Sequence, residues 1–557
     1  MENINVSLPN QQALLSAPKN QEVKVYVERP ENTRREESKA EQMRKSAEWF
    51  QKISLGSLLY AIIYAICMYR NTEGITFPFC VGATLYFFLY YAKKFCVTVK
   101  KCDWFLMGAI VLLGVITCTT DSGVLIFLNK TVIAAVMVIW ILELFYDVTG
   151  WSFASFMKAG CYAVFGGVAH SMTPYIDGMA HFKLRKKESG KGPLDEAKKQ
   201  KYTAIAIGVG ISIPMLLVIV WLLSSADVFF KEFFDHLADT LFSWETPEII
   251  REHFFGFTGT IVIMFSLVYG MIVYLANKNG IEEVTKAKVQ KWNAYTAITF
   301  SSIIGVVYVL FAGIQILGLF MGKLTLPEGY TYAGYAREGF FQLAFVCFFN
   351  ICLVLVCMAC FEESKMLKGI MLILCGCTYI MLISSAYRML LYIKVYHLTF
   401  LRVFVLWALA VMAIAMAGIV AFIFFVGFPI FRYLLISILV LYVAFAAAHP
   451  DYWIASYNIM KAEAGEDVDE YHLLFHLSLD AAVPILTSFE GELINPETYY
   501  NEYSKTWELT NISVRLQNYV ERIEEETEDA KGRKFNVSKA IAAYMNQQYV
   551  EQKVDIK

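Results

Sequence analysis

Charged residues are scarce in this chain: they make up 18% of its 557 residues, whereas hydrophobic residues make up 57%. A soluble protein of this length needs a more strongly charged surface, so the composition excludes an ordinary soluble globule. The apolar residues form about eleven runs of roughly 17 or more residues, and such a run is long enough to cross the hydrocarbon core of a bilayer. The mean hydropathy of +0.48 agrees. The sequence therefore predicts an all-α polytopic membrane protein.

Cysteine is absent after Cys377, and the 12 cysteines up to that point lie almost entirely in or beside apolar runs. This distribution excludes a disulfide framework and favours packing roles for the thiols. Cys357 and Cys360 have the spacing of a metal or redox pair, but they follow an apolar run and have no second pair nearby. We therefore predict no metal and no cofactor.

Motifs of several common membrane functions are also missing. The sequence has no Walker A loop, no His-Glu-x-x-His pair and no Gly-x-Ser-x-Gly elbow. It therefore lacks the usual marks of ATP-driven transport, zinc proteolysis and esterase chemistry. Ion-coupled carriers usually need a carboxylate near the middle of the membrane, whereas Glu143 and Asp147 fall at one end of a predicted span. We predict no catalytic residue.

The chain divides into three predicted regions. Residues 1–47 are polar, lack the apolar centre of a signal peptide and are expected to form a disordered tail. Residues 48–448 contain the apolar runs and are expected to form a transmembrane helical domain, whose first span acts as the insertion signal. Residues 449–557 carry 20 acidic and 10 basic side chains, and their periodic apolar positions predict a small acidic helical region.

About eleven spans are predicted within the transmembrane domain. A further apolar segment, from Trp151 to Phe182, is broken by Gly166, Gly167, Pro174 and Asp177, which is typical of an interfacial or re-entrant segment. The predicted spans lie near residues 53–69, 75–92, 104–120, 131–146, 203–223, 255–275, 297–320, 340–361, 367–388, 402–426 and 430–448.

The distribution of Lys and Arg predicts which side of the membrane each loop faces. Basic side chains collect before the first span and in the segments 93–101, 183–201 and 278–291, and short basic loops stay in the cytoplasm. The N-terminus is therefore expected to be cytoplasmic. By the same count the C-terminal region faces outward, as does the connection between the ninth and tenth spans.

That last connection carries Arg388, Lys394 and Arg402, against the orientation rule, so these side chains need partners or ligands. A planar guanidinium binds phosphate or carboxylate in a fork. We predict a site for an anionic head group at this level. The alternative is structural: Arg337 pairs with Glu338 or Asp227, and Arg388 closes a helix end. The candidate ligand-binding residues are Arg337, Glu338, Gln342, Tyr387, Arg388, Tyr392 and Arg402.

Four short runs in the sequence resemble an uncharacterised family of bacterial multi-pass membrane proteins that is defined by a domain of unknown function. The most specific run is Tyr-Ala-Arg-Glu-Gly-Phe-Phe-Gln-Leu at 335–343. The others are Ser-Ser-Ala-Asp at 224–227, the segment from Tyr387 to Arg402, and Asp-Ala-x-x-Pro at 480–484. The resemblance covers roughly residues 200–490. It implies a bacterial cytoplasmic membrane and no established activity.

His472, His476 and Asp480 are spaced four residues apart, so a continuous helix would place all three on one face. That spacing permits metal binding. Leucine and phenylalanine surround these residues, however, and we favour an ordinary amphipathic helix.

Three functions stay open. We predict a non-enzymatic membrane protein that binds an anionic lipid or an envelope precursor on the outer side, and moves it or reports it. The second hypothesis is a membrane glycosyl- or phospho-transferase that uses a lipid-linked donor, with Asp227 as an acid. The third is a structural or signalling scaffold. The expected partners are membrane lipid, an envelope precursor and a protein at the C-terminal region, but no nucleic acid.

Overall fold

The computed structural model describes eleven continuous segments of the chain, the single residue Trp151, and isolated positions between 205 and 232. The segments are 31–95, 101–148, 153–188, 248–277, 291–317, 332–425, 427–489, 498–501, 506–509, 511–528 and 530–555. The chain forms two compact units. One contains residues 1–52 and 175–196, and the other contains residues 53–174 and 197–557.

Most of the described chain is α-helical, as the apolar periodicity predicts. Six helices precede the residues that are described only at isolated positions: α1 Glu31–Met68, α2 Thr76–Lys94, α3 Lys101–Thr119, α4 Gly123–Phe145, α5 Phe153–Ala169 and α6 Thr173–Glu188. Six more lead to the end of the predicted transmembrane domain: α7 Glu248–Ala276, α8 Ala294–Gln315, α9 Tyr332–Cys360, α10 Lys365–Tyr396, α11 Phe400–Phe424 and α12 Ile430–Ala447.

Within the described residues, 8 helices are long and apolar enough to cross a membrane. They are α1, α4 and α7 to α12 or the apolar parts of these helices. Helices α2 and α3 occupy the second and third predicted spans. The prediction of an all-α polytopic bundle is confirmed. The predicted span at 203–223 lies largely outside the described residues.

The segment from Trp151 to Phe182 contains two helices, α5 and α6, separated by a turn at residues 170–172. Gly166 and Gly167 do not break α5 but lie within it. They bring it close to α7: a Cβ at Gly166 would lie 2.2 Å from the ring of Tyr274. Small residues allow close helix approach in a membrane, so these glycines serve packing. Whether this segment crosses the membrane stays a prediction.

Helix α10 is the centre of a four-helix group with α8, α9 and α11. Two buried clusters lie along it. One includes Met371, Leu374 and Cys375, and the other includes Met381, Leu382 and Met389. The helix ends at Tyr396 because His397 adopts a left-handed conformation, with φ of 59°. Helix α11 then returns through the membrane from Phe400.

The C-terminal region is mainly helical, as predicted, with one short β-hairpin in addition. Its elements are α13 Pro450–Glu463, a π-helical turn His472–His476, a 3₁₀ turn Leu479–Ala481, α14 Ala482–Ser488, β1 Thr498–Asn501, β2 Thr506–Leu509, α15 Asn511–Glu528, a second 3₁₀ turn Gly532–Lys534 and α16 Val537–Asp555. The two strands are antiparallel, with Thr498 opposite Leu509.

A buried apolar cluster joins α13, α14, α15 and α16. Leu516, Tyr519 and Ile523 contribute one face of α15, as the spacing of its apolar residues predicts. Leu398, Phe400 and other residues at the start of α11 pack against the same cluster. The C-terminal region is therefore attached to the helix bundle rather than separate from it. The domain boundaries at 47 and 448 stay a prediction, although α1 begins at Glu31, before the first boundary.

Candidate functional site

The predicted head-group site centres on Arg388, which the structure places in the interior of the helix bundle. Arg388 is 5% exposed. Its Nη2 donates to Oε1 of Gln315 at 3.3 Å, and the hydroxyl of Ser384 donates to the same oxygen at 2.6 Å. Gln315 is the last residue of α8. The amide oxygen of Gln315 thus orients the guanidinium between α8 and α10.

Arg402 lies at the junction between α10 and α11. Its Nη1 donates to the backbone carbonyl oxygens of Tyr396 and His397. The guanidinium carbon is 4.6 Å from the ring centroid of Tyr392 and 5.9 Å from that of Tyr396. A cation beside the last carbonyls of a helix stabilises the helix end. The role of closing a helix end, which the sequence suggested for Arg388, is performed by Arg402.

The other predicted head-group residues differ from one another in exposure and in contacts. Tyr387 is exposed at 42%, although its neighbour Arg388 is buried. Gln342 is also exposed, whereas Phe340 and Leu343 on the same helix are buried in the cluster that contains Met389. Of the seven candidates, the described contacts bring Tyr392 and Arg402 together. The side chains of Arg337 and Glu338, in the first turns of α9, lie outside the described residues.

Asp227, the acid of the transferase hypothesis, is exposed. Its Oδ1 accepts a hydrogen bond from the backbone N–H of Phe230 at 3.4 Å. Most residues around Asp227 in the chain lie outside the described residues, and its role as an acid stays a hypothesis.

A second polar site, which the sequence did not indicate as a unit, surrounds Asp480. The Asp480 carboxylate accepts hydrogen bonds from the hydroxyl of Thr120 at 2.5 Å and from the backbone N–H of Asp121 at 2.8 Å. Nδ1 of His449 lies 3.2 Å from the same carboxylate. The three partners come from the α3–α4 loop and from the junction between α12 and α13. Asp480 therefore connects the C-terminal region to the α3–α4 loop and to the end of α12.

Asp121 extends this network to α16. Its carboxylate accepts a hydrogen bond from the backbone N–H of Leu479 at 3.2 Å. It also lies 3.3 Å from Nζ of Lys539, which is 2.8 Å from a carboxylate oxygen of Glu73. Glu73 belongs to the short loop between α1 and α2, so Lys539 connects the α1–α2 loop to the α3–α4 loop.

Uncharged groups of residues 533–536, just before α16, complete the contact with the two loops. The side-chain amide of Asn536 donates to the carbonyl oxygen of Thr120 at 2.8 Å, and that of Asn71 donates to the carbonyl oxygen of Arg533 at 2.9 Å. The backbone N–H of Ile75 donates to the carbonyl oxygen of Phe535 at 2.8 Å. We call Thr120, Asp121, His449, Asp480 and Lys539, with Glu73, the loop network.

Burial acts on the two aspartates of the loop network with different net results. Burial raises the pKa of Asp121 to about 6, and the positive charge of Lys539 offsets only part of this rise. Burial also acts to raise the pKa of Asp480, but hydrogen bonds from His449, Ser538, Thr120 and the N–H of Asp121 more than compensate, and its pKa lies below the ordinary value. Asp480 is thus held as a carboxylate by its donors.

The loop network and the arginine residues lie at the same end of the bundle. The side chain of Asn458 on α13 makes two hydrogen bonds to the backbone of Leu398, each 3.0 Å long, and His397 contacts the carbonyl oxygen of Asp467 at 3.0 Å. The loop at 70–74, the loop at 120–122 and the α10–α11 connection therefore share one end with the C-terminal region. The α10–α11 connection and the C-terminal region were predicted to face outward. Which side of the membrane this end faces stays a prediction.

His472 and His476 do not share a helix face with Asp480. Their rings stack, with centroids 5.5 Å apart, on the π-helical turn, whereas Asp480 lies in the following 3₁₀ turn. Among the residues that the structure describes, no group of three or more His, Cys, Asp or Glu side chains has an arrangement that could hold a metal ion.

A family model described as "Domain of unknown function (DUF4153)" matches residues 107–488. This chain belongs to the DUF4153 family. The match ends close to residue 490, as the resemblance implied, but it begins well before residue 200. No curated protein and no solved structure matches the chain.

The DUF4153 match covers Arg388, Arg402 and most of the loop network, including Asp121, His449 and Asp480. Glu73 and Lys539 lie outside it. Asp480 did belong to a run that carried the family resemblance, so one signal for the loop network was present in the sequence. Its partners could not be identified, because Thr120 and Asp480 are separated by 360 residues.

Proposed function

We propose that this DUF4153 protein, an integral membrane protein, binds the anionic head group of a lipid or of an envelope precursor beside Arg388 and Arg402, and moves it or reports its presence. The observation that carries the proposal is the burial of Arg388, a basic residue of α10, within the helix bundle. A buried ionisable group within a membrane domain is costly and commonly marks a binding or transport path.

The chemistry of the two arginines supports an anionic ligand. Arg388 donates to Gln315 through one amino group, and a planar guanidinium is the group that binds phosphate or carboxylate in a fork. Arg402 is partly exposed at the end of α10, beside the rings of Tyr392 and Tyr396. Such an arrangement of cation and tyrosine is typical of the membrane interface, where lipid head groups lie.

The positions of the other candidates define how the site would be entered. Tyr387 and Gln342 are exposed on α10 and α9, so they would contact the ligand from the lipid side. Arg337 and Glu338 precede Gln342 on α9, and they remain candidates because of their position in the sequence alone. Arg402 is partly exposed where α10 ends, so the charged part of the ligand would reach Arg388 from that end of the bundle while the rest stays on the lipid side.

The test is native mass spectrometry of the protein purified in a mild detergent, which identifies lipids that remain bound. We expect a defined anionic phospholipid or polyprenyl species, reduced about 10- to 100-fold in occupancy by Arg402→Gln, because a charge-assisted hydrogen bond contributes about 1.5–3 kcal/mol. Arg388→Gln should remove it as well. Arg402→Lys should restore little, since lysine lacks the planar fork.

Arg432→Gln is the matched control. Arg432 is an exposed arginine at the start of α12, the opposite end of that helix from the C-terminal region, so its loss should leave the bound lipid unchanged. Size-exclusion profiles establish that each variant is folded. The proposal fails if folded Arg402→Gln and Arg432→Gln retain the same lipid as the natural protein. Turnover of a lipid-linked donor by the same samples would instead support the transferase hypothesis.

A further inference from the structure

Helix α13 is attached to the ends of two membrane spans. It begins at Pro450, directly after α12 ends at Ala447. Farther along α13, Asn458 accepts from the backbone N–H of Leu398 and donates to its carbonyl oxygen, both at 3.0 Å. Leu398 precedes the start of α11 at Phe400. Both attachment points therefore lie where spans leave the hydrocarbon core.

The chain changes direction sharply between α12 and α13. His449 adopts a left-handed conformation with φ of 48°, and Pro450 begins the new helix. This proline prevents α12 from continuing, because it has no N–H for the helical hydrogen-bond pattern. The hydroxyl of Ser478 donates to the carboxylate of Asp451 at 2.6 Å and fixes the first turn. Helix α13 therefore does not continue α12 but runs in a new direction from its end.

The two faces of α13 differ in their surroundings. Asp451, Ile454, Ala455, Asn458 and Ile459 are buried, and the apolar members pack in the cluster of the C-terminal region. The spacing of these residues places them on one side of a 3.6-residue helix.

The opposite side of α13 carries aromatic and sulfur-containing side chains. Trp453 is 61% exposed, Met460 is 53% exposed and Tyr452 is 37% exposed. Tyr457 lies on the same side and is partly exposed, with Nζ of Lys461 5.8 Å from its ring centroid. We call Tyr452, Trp453, Tyr457 and Met460 the aromatic face of α13.

We infer that the aromatic face of α13 lies in the head-group layer of the membrane and contacts phospholipid. Tryptophan and tyrosine are enriched at this depth, where the ring meets the acyl boundary and the polar atom meets water. The attachment to the ends of α11 and α12 places the helix at that level. If the aromatic face of α13 pointed into water instead, a large apolar surface would stay exposed next to a membrane that could cover it.

The test is depth-dependent fluorescence quenching of the full chain in nanodiscs that contain phosphatidylcholine brominated either close to the head group or deep in the acyl chain. The emission of Trp453 is obtained by subtracting the spectrum of Trp453→Phe from that of the natural protein. We expect shallow bromine to remove more of this emission than deep bromine, and aqueous iodide to remove little.

Trp407→Phe provides the control for depth. The indole nitrogen of Trp407 on α11 donates to the carbonyl oxygen of Leu441 on α12. Trp407 lies about 10 Å along α11 from Phe400, and so deeper in the membrane than the start of that helix. Its emission should be quenched more by deep bromine. The inference is overturned by any of three results. Quenching of Trp453 mainly by iodide would place it in water, and quenching mainly by deep bromine would place it farther into the membrane. Quenching by neither would indicate that a second copy of the chain covers it.

Discussion

Asp121 and Asp480 are joined by a hydrogen bond, yet their carboxylates respond to burial with opposite net changes in pKa. Asp480 accepts hydrogen bonds from side chains and backbone that favour its charged form. Asp121 has Lys539 and one backbone N–H as favourable partners, while the nearby charge of Glu526 opposes them. Its pKa is therefore raised to about 6. The number of donors around each carboxylate decides the direction.

Protonation of Asp121 should make the stability with which the C-terminal region is attached depend on pH. Its folded-state pKa exceeds the ordinary value, so the folded state binds the proton more tightly. The contribution of Asp121 to stability should therefore rise as the pH falls from 7.5 to 5, by roughly 1.4 kcal/mol. Asp121→Asn should reduce this rise. Burial also raises the pKa of Asp451, so a smaller dependence should remain.

The measurement is the melting temperature of the purified protein in detergent between pH 5 and 7.5. Glu463→Gln serves as a control, since Glu463 is an exposed carboxylate on α13. An Asp121→Asn variant with the full pH dependence of the natural protein would contradict the assignment to Asp121.

At the scale of elements, apolar run length predicted the spans well, because the bilayer sets a minimum length for a crossing helix. The helices α8 to α12 lie close to the predicted spans. Glycine was less informative. Gly166 and Gly167 suggest a break when sequence alone is considered, but their missing Cβ atoms allow α5 and α7 to approach. A sequence does not reveal which neighbour will occupy that space.

Gly270 on α7 tests this packing. A Cβ there would lie 2.4 Å from the carbonyl oxygen of His170, a backbone atom that cannot rotate away. Gly270→Ala should therefore destabilise the protein by about 1–3 kcal/mol. Gly259 lies on the same helix, and a Cβ there would meet no atom within 4 Å. Gly259→Ala should be neutral, or stabilising by up to about 1 kcal/mol.

Thermal unfolding of the two variants in detergent distinguishes the packing effect from the general effect of alanine in a helix. Equal melting temperatures for Gly270→Ala and Gly259→Ala would show that the contact between α7 and the end of α5 is unimportant for stability.

At the scale of the whole molecule, the sequence predicted the membrane class and the likeness to the DUF4153 family, but not the loop network. That network joins residues 73, 120, 121, 449, 480 and 539, and no local pattern relates positions so far apart. The arginine site shows the same limit. The sequence indicated Arg388 and Arg402, but their separate roles depend on Gln315 and on the end of α10, which only the tertiary structure brings to them.

The shared end of the bundle gives a topology prediction. Glu525 on α15 and Glu463 on α13 are exposed in the C-terminal region, whereas Lys93 is exposed at the far end of α2. Cysteines at 525 and 463 should react with a membrane-impermeant maleimide from the same side, and a cysteine at 93 only from the other. If the C-terminal region faces outward, intact cells label at 525 and 463. Peptide mass spectrometry separates these sites from native cysteines.

Simultaneous labelling of positions 93 and 525 in intact cells would contradict this arrangement. Labelling of position 93 alone would preserve the arrangement and reverse the predicted orientation.

The contacts of residues 533–539 with the first two loops at this end have a consequence for biogenesis. Helices α1 to α4 emerge from the ribosome early, since synthesis proceeds from the N-terminus. The polar groups of Asn71, Glu73 and Thr120 gain Arg533, Asn536 and Lys539 as partners only after hundreds of further residues have been made. The part of the protein that enters the membrane first is thus completed last, and a nascent chain halted before residue 533 would present quality-control proteases with an unfinished surface.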